Sequence, residues 1–444
     1  MSFPLPQPCR FFSVLVLALG LMGVAFAQSS QTDPESASAP PSPPAQLRLF
    51  PSPPPAESQT DALWQPALAE LFSAPKTYPV DNPAFAEKDG ITALYYDGAP
   101  FEGKPTRVFA WIGFPASTGN EKFPAVVLVH GGGGTAYRDW VKLWNDRGYA
   151  AIAMDTNGSA PLATEGFRVR PKRHAYAGPL PANNGFDVSD RPPADQWMYH
   201  AVAAIIRANS LLRADPRVDA ERIGLTGISW GGVMSEIAPA IDTRFKCAAP
   251  VYGCGFLGEN SYWLETRFPE HDPANVARWL ALWDPSQYVA RIHMPVLFAN
   301  GTNDKFFRPP SWQKTYRLVP GPVTLSMMLR LNHGHPPHGD PAAVKIFIDS
   351  ILKKTAPLPA IHEQGREKAG AWIRFETAGS VSIEKAVLLY TADRGPWTER
   401  KWLQAPARLD ATRASADVPT GASAYFFNLH DSRGAIVSSP HIEL

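Results

Sequence analysis

GISWGG, residues 227–232, stands between a short apolar run, RIGLT, and a stretch able to open a helix, VMSEIA. Glycines on both sides of Ser229 permit a sharp turn from strand into helix, which would lift the serine hydroxyl above the end of a sheet. The same hexapeptide also describes an ordinary glycine-rich turn. What surrounds it decides between the two.

Upstream, KFPAVVLVHGGGG reads as a buried strand running into glycines 131–134, as expected at the carboxyl end of a strand in a parallel sheet. Trp140, Leu143 and Trp144 fall on one face at helical spacing, and Gly148 stands where a left-handed cap would end that helix. GITALYY, TRVFAWIGF and YAAIAMD read as strands. After an irregular stretch at 156–194 comes a helix, WMYHAVAAIIRANSLLRA, with Met198, Val202, Ile205 and Leu212 on its buried face. RIGLTG, RFKCAAPVYG, MPVLFANG and TLSMMLRL are further strands, and VMSEIAPAI and PAAVKIFIDSILKK further helices. This alternation predicts an α/β domain over 63–356, a mostly parallel sheet with helices on both faces.

The two ends of the chain differ from this. Arg10, an apolar run and Ala25-Phe26-Ala27 before Gln28 have the form of a signal peptide over 1–27, so export to the periplasm or beyond is expected, with no stable membrane insertion once it is removed. Residues 28–62 are rich in proline, serine and alanine and read as an extended linker. Residues 357–444 show short strand-like runs, AWIRFE, KAVLLYT and AYFFNL among them, separated by turn signals, and read as a small β-sandwich. Its Trp372, Tyr390, Trp397, Trp402 and Tyr425 either stack on sugar rings or fill the sandwich core.

A formal net charge of +1 favours neither nucleic acid nor an anionic surface as partner. The mature chain would keep Cys247 and Cys254. An extended segment between them holds their ends about 20 Å apart, too far for a disulfide without a sharp turn, so free thiols are expected.

In an α/β setting, Ser229 reads as the nucleophile on an elbow. Glycines after His130 leave backbone N–H groups open to a developing oxyanion, and with the N–H of Trp230 they would form the oxyanion hole, Gly132 the first choice and Gly133 the second. A phosphate cradle is the competing reading, but the lysine and hydroxyl of a Walker loop are missing.

VVLVHGGGG, VDAERIGLTGISWGG, PVLFANGTND and LNHGHPPH together resemble the α/β-hydrolase superfamily, in the branch of dienelactone-hydrolase-like and acetylxylan-esterase-like exported proteins. The resemblance spans roughly residues 90–355. It implies Asp304 as the triad acid, with Asp340 a rival, and its register selects His335 as the base, with His333 second. It also implies acylated polysaccharide as the substrate class. On that reading an acyl-enzyme forms on Ser229, water releases it, and no cofactor is required. Two other classes stay open: a serine exopeptidase, and a glycan-binding protein on a hydrolase scaffold. A zinc site at His333, His335, His338 and Asp340 is a further alternative. His174, Trp197, Trp230, Tyr252, Trp263 and Trp279 are candidates for substrate contact, each equally able to be packing.

Overall fold

Ala125 to Val129 are all fully buried, with no alternation along the strand. A strand in the middle of a parallel sheet is covered on both faces, and its sequence shows that as a continuous apolar run. The structure, a computed structural model, describes residues 49–50, 57–116, 119, 121–167, 171–181, 185–187, 189–368 and 370–444. The expected signal peptide and most of the expected linker lie outside these residues. Among the described residues a helix spans Glu57–Trp64, across the boundary expected near Leu63. Among the described residues no helix is long and apolar enough to cross a membrane.

Among the described residues, eleven strands build the first part of the chain: β1 (Thr77–Pro79), β2 (Ile91–Asp97), β3 (Arg107–Gly113), β4 (Phe123–Val129), β5 (Ala150–Met154), β6 (Ser159–Pro161), β7 (Pro171–Arg173), β8 (Val218–Ile228), β9 (Cys247–Val251), β10 (Val296–Gly301) and β11 (Val323–Met328). Nine form one sheet in the order β1-β2-β3-β5-β4-β8-β9-β10-β11. The β1/β2, β2/β3 and β3/β5 pairs are antiparallel. From β5 to β11 every pair is parallel. β6 and β7 pair apart from this sheet.

The expected helices occur, with one difference in facing, and Pro273–Trp283 and Pro309–Tyr316 are helices beyond them. In Arg138–Asn145, Trp140 and Trp144 are buried but Leu143 is 40% exposed, and Val141 completes the buried stripe instead. Gly148 has φ +80° and its N–H donates to Asn145 O, which ends that segment as a left-handed cap. Cys247 and Cys254 are free and buried, and burial pushes the Cys247 thiol up to about 12.

The C-terminal strands form two antiparallel sheets, consistent with the expected small sandwich. In the strand Ile383–Thr391, Ala386 and Leu388 face the sandwich core, while Val387 and Leu389 join the core of the α/β part. The strand Ala424–Asp431 divides likewise: Tyr425, Phe427 and Leu429 on one side, Ala424 and Phe426 on the other. Successive side chains point to opposite faces, so this sheet is buried twice, once against its partner sheet and once against the α/β body.

β11 is the last strand of the large sheet, and its outer edge is not bare. Met327 N–H donates to Ser438 Oγ at 2.7 Å, and Met327 O accepts from Asn428 Nδ2 at 3.0 Å.

Candidate active site

β8 ends at Ile228 and the helix Trp230–Ile241 begins one residue later, leaving Ser229 alone to make the turn. It does so at φ 61°, ψ −117°, a conformation non-glycine residues rarely hold. The turn is tight enough that side chains at its flanks would collide with backbone: a Cβ on Gly227 would lie 2.2 Å from Gly231 O, and one on Gly231 would lie 2.1 Å from Val129 O. Ser229 N–H donates to Val251 O at 2.9 Å, which fixes the serine beside the end of β9.

Asp304 follows β10 and is buried. Its Oδ1 accepts the N–H groups of Phe306 and Phe307 at 2.9 and 2.7 Å. Its Oδ2 lies 2.7 Å from His333 Nδ1. This is where the structure departs from the sequence reading: the imidazole paired with Asp304 is His333, not His335. β11 stops at Met328, three residues before the Leu331 expected to end it, and Arg330 turns the chain at φ +49°. The His333 ring lies between Tyr252, 4.2 Å away and tilted by 31°, and Phe306 at 4.7 Å. Tyr252 in turn donates its hydroxyl to Asn332 O at 2.5 Å. Burial, with Asp304 nearby, raises the Tyr252 phenol and keeps it a donor. Tyr252 directly follows Val251, so the residue that receives the Ser229 amide adjoins the residue that packs on His333.

His335 has a different partner. Its Nε2 accepts the N–H of Gly131 at 3.0 Å. Burial, then the nearby His130 and His333, lowers it to about 3, so it is a neutral acceptor whose ring proton sits on Nδ1. His130 holds the same residue by its carbonyl. Its Nε2 accepts the N–H of Thr156 at 2.9 Å, so Nδ1 carries the proton and donates to Gly131 O at 2.7 Å. Gly134 N–H also donates to Gly131 O, at 3.0 Å. Among the described residues the N–H groups of Gly132 and Gly133 donate to no protein acceptor. Trp230 N–H, the first of its helix, has no carbonyl of its own helix to meet.

The aromatic candidates divide into two groups. Trp197, Trp263 and Trp279 surround Trp230, with ring centroids at 5.7, 4.9 and 5.9 Å. All four are buried. His174 packs on Tyr95 at 5.0 Å, away from this cluster. In the sandwich, Trp397, Trp402 and Tyr425 are buried and present no free ring face to a sugar. The histidines proposed as zinc ligands do not converge: His333 meets Asp304, His335 meets Gly131, and Asp340 pairs with Lys345 at 2.6 Å. Among the described residues no group of three His, Cys, Asp or Glu is placed to hold a metal ion.

A family model described as acetyl xylan esterase (AXE1) matches residues 43–338. The acetyl esterase Axe7A of Xylanibacter ruminicola is 23% identical over 278 residues, which is 59% of this chain and 60% of that protein. A Bacillus subtilis protein named uncharacterized peptidase YuxL is 26% identical over 213 residues, 44% of this chain and 28% of its own length. The chain thus spans less than two thirds of either curated relative. Among solved structures, the acetyl xylan esterase from Paenibacillus sp. R4 matches with a TM-score of 0.53 at 23% identity, over 70% of this chain and 100% of that one. That likeness shows the fold, and the nine-stranded sheet with its serine elbow is an α/β-hydrolase sheet.

Proposed function

Because this chain belongs to the acetyl xylan esterase family, we propose that it is an exported serine hydrolase cleaving carboxylic esters, with acetyl groups on carbohydrates as the substrate class. The observation that carries the mechanism is the 2.7 Å contact between Asp304 Oδ2 and His333 Nδ1, set on loops beside a serine elbow. With Nδ1 bound to the carboxylate, His333 keeps Nε2 for the serine proton. Asp304 fixes that tautomer and stabilises the imidazolium that forms. Ser229 Oγ attacks the acyl carbonyl, and the charge on its oxygen develops toward the N–H groups of Trp230, Gly132 and Gly133. His333 then protonates the departing sugar oxygen, and water, deprotonated by the same ring, attacks the acyl-Ser229 carbonyl and releases acetate.

Export rests on residues 1–27, and the carbohydrate class rests on family membership and the named activity of the relatives. The test is kcat/KM for p-nitrophenyl acetate, acetylated xylan and a set of dipeptidyl anilides, on wild type and Ser229→Ala. The wild type should release acetate and leave anilides nearly untouched. The variant should lose about 10⁶-fold of the rate. Efficient anilide cleavage with negligible acetate release would instead identify an exopeptidase. Export is checked on the purified extracellular or periplasmic protein, whose amino terminus should be Gln28.

A further inference from the structure

Asp304 and His333 sit on separate loops, and the residues just before them are joined by a hydrogen-bonded chain that ends in the C-terminal layer. Asn303 precedes Asp304. Its Nδ2 lies 3.1 Å from Trp397 O, 3.2 Å from Thr398 O and 2.8 Å from Arg400 O. An amide has two hydrogens for those three carbonyls, so one donor closes a cup of backbone oxygens. Flipping the amide would set its oxygen against all three, so the network fixes its orientation. On the other side, Asn303 Oδ1 accepts from Thr302 Oγ1 at 2.8 Å. Thr302 Oγ1 accepts in turn from Arg330 N–H at 3.0 Å, and Thr302 N–H donates to Met328 O at 3.0 Å. Arg330 is the left-handed residue that turns the chain from β11 toward His333.

The cup itself is held firmly. The Arg400 guanidinium lies 3.9 Å over the Trp397 ring, and its Nε donates to Gly395 O at 3.0 Å. Lys401 N–H donates to Asp393 Oδ2 at 2.7 Å. Trp397 and Trp402 belong to the core shared with the α/β body.

We propose that Asn303 and Thr302 are positioning residues through which the C-terminal layer sets the reach between Asp304 and His333. The proposal deepens the triad reading above and rests on it. Asn303 shares a peptide bond with Asp304, so rotation there swings the carboxylate. Thr302 ties the same segment to the start of the base loop. Losing either link lets the two loops drift independently, and a displacement of about 1 Å in a catalytic group is enough to cost on the order of 100-fold in rate.

The experiment uses the full-length protein and four variants, Asn303→Ala, Thr302→Val, Thr302→Ser and Ser229→Ala, with p-nitrophenyl acetate kinetics, the rate of fluorophosphonate labelling, and Tm. Asn303→Ala and Thr302→Val should lower kcat by roughly tenfold to a hundredfold with little change in KM, and slow labelling by the same factor. Thr302→Ser, which keeps the hydroxyl, should recover most of what Thr302→Val loses. A lowered Tm with kcat and labelling unchanged would reduce both residues to structural contacts and overturn the proposal. If Asn303→Ala does not fold, the nearly isosteric Thr302→Val and Thr302→Ser pair decides, since equal rates for the two would overturn it. Should Ser229→Ala stay active, the triad reading fails, whatever the other variants do.

Discussion

Gly131 is gripped on both sides of its Cα, its carbonyl by His130 Nδ1 and its N–H by His335 Nε2. That grip leaves His335 no free acceptor nitrogen, whereas His333 has its Nδ1 on Asp304 and, among the described residues, no protein partner on its other nitrogen. His333→Ala should therefore cost about 10⁶-fold in kcat, and His335→Ala roughly tenfold to a hundredfold, through a shifted glycine loop. Steady-state hydrolysis of p-nitrophenyl acetate ranks the two, and the opposite order would return the base to His335. The sequence does not distinguish these histidines, because one glycine separates them and the choice turns on where β11 stops. Apolar residues continue to Leu331, yet the strand ends at Met328 because Arg330 leaves the extended region and Met328 O is taken by Thr302 N–H. Ser229, by contrast, is legible because the glycines that relieve its turn must be written next to it. The clamp by His130 leaves no such local trace, since its partners, Thr156 and Gly131, are brought together only by the fold.

Among the elements, the helix Trp230–Ile241 combines two demands. It presents Ser229 at its head and packs on both β8 and β9, so every residue from Trp230 to Ala240 is buried. One of these is Glu236, fully buried, with neither carboxylate oxygen hydrogen-bonded. Burial, reinforced by the charge of Asp284, holds its carboxyl well above the usual range, so the folded protein keeps it protonated. The unfolded chain ionises it above about pH 4.3. The contribution of Glu236 to stability is thus fully present below that pH and is lost as pH rises through the folded value. Within that window wild type should fall behind Glu236→Gln by up to about 1.4 kcal/mol per pH unit. Denaturant unfolding of both proteins from pH 4 to 8 measures this, and parallel curves would show that Glu236 does not titrate on unfolding. The strands of the large sheet are readable because burial on both faces produces unbroken apolar runs. Helical facing is less so, as Leu143 shows, because adjacent positions at the edge of a stripe exchange roles at no cost to the pattern.

At the scale of the whole molecule, the α/β part and the C-terminal sheets share one hydrophobic core, in which Trp397, Trp402 and Phe426 meet the sheet residues of the first part. A run such as AYFFNL announces a buried strand but not which two neighbours cover it, so this interface is invisible until the chain is folded. Shared burial predicts a single cooperative transition. Calorimetry of the mature protein should show one peak, with esterase activity lost across it. Trp402→Ala should lower stability by about 3–5 kcal/mol, without splitting the transition. A separate early peak with activity intact would mean that the C-terminal layer unfolds alone.

The bonds from Ser438 and Asn428 to Met327 also bear on how molecules of this protein meet one another. The outermost strand of an open sheet offers unpaired amide and carbonyl groups that a second chain can copy, which is how edge-to-edge association and fibrillation begin. Here a hydroxyl and a side-chain amide occupy those groups at Met327 from within the same molecule. They occupy the edge at Met327 as a paired strand would, while adding no strand that could itself be extended. Asn428→Leu would strip one of these partners while keeping the side chain's bulk, and light scattering at rising concentration should then report self-association that the wild type does not show.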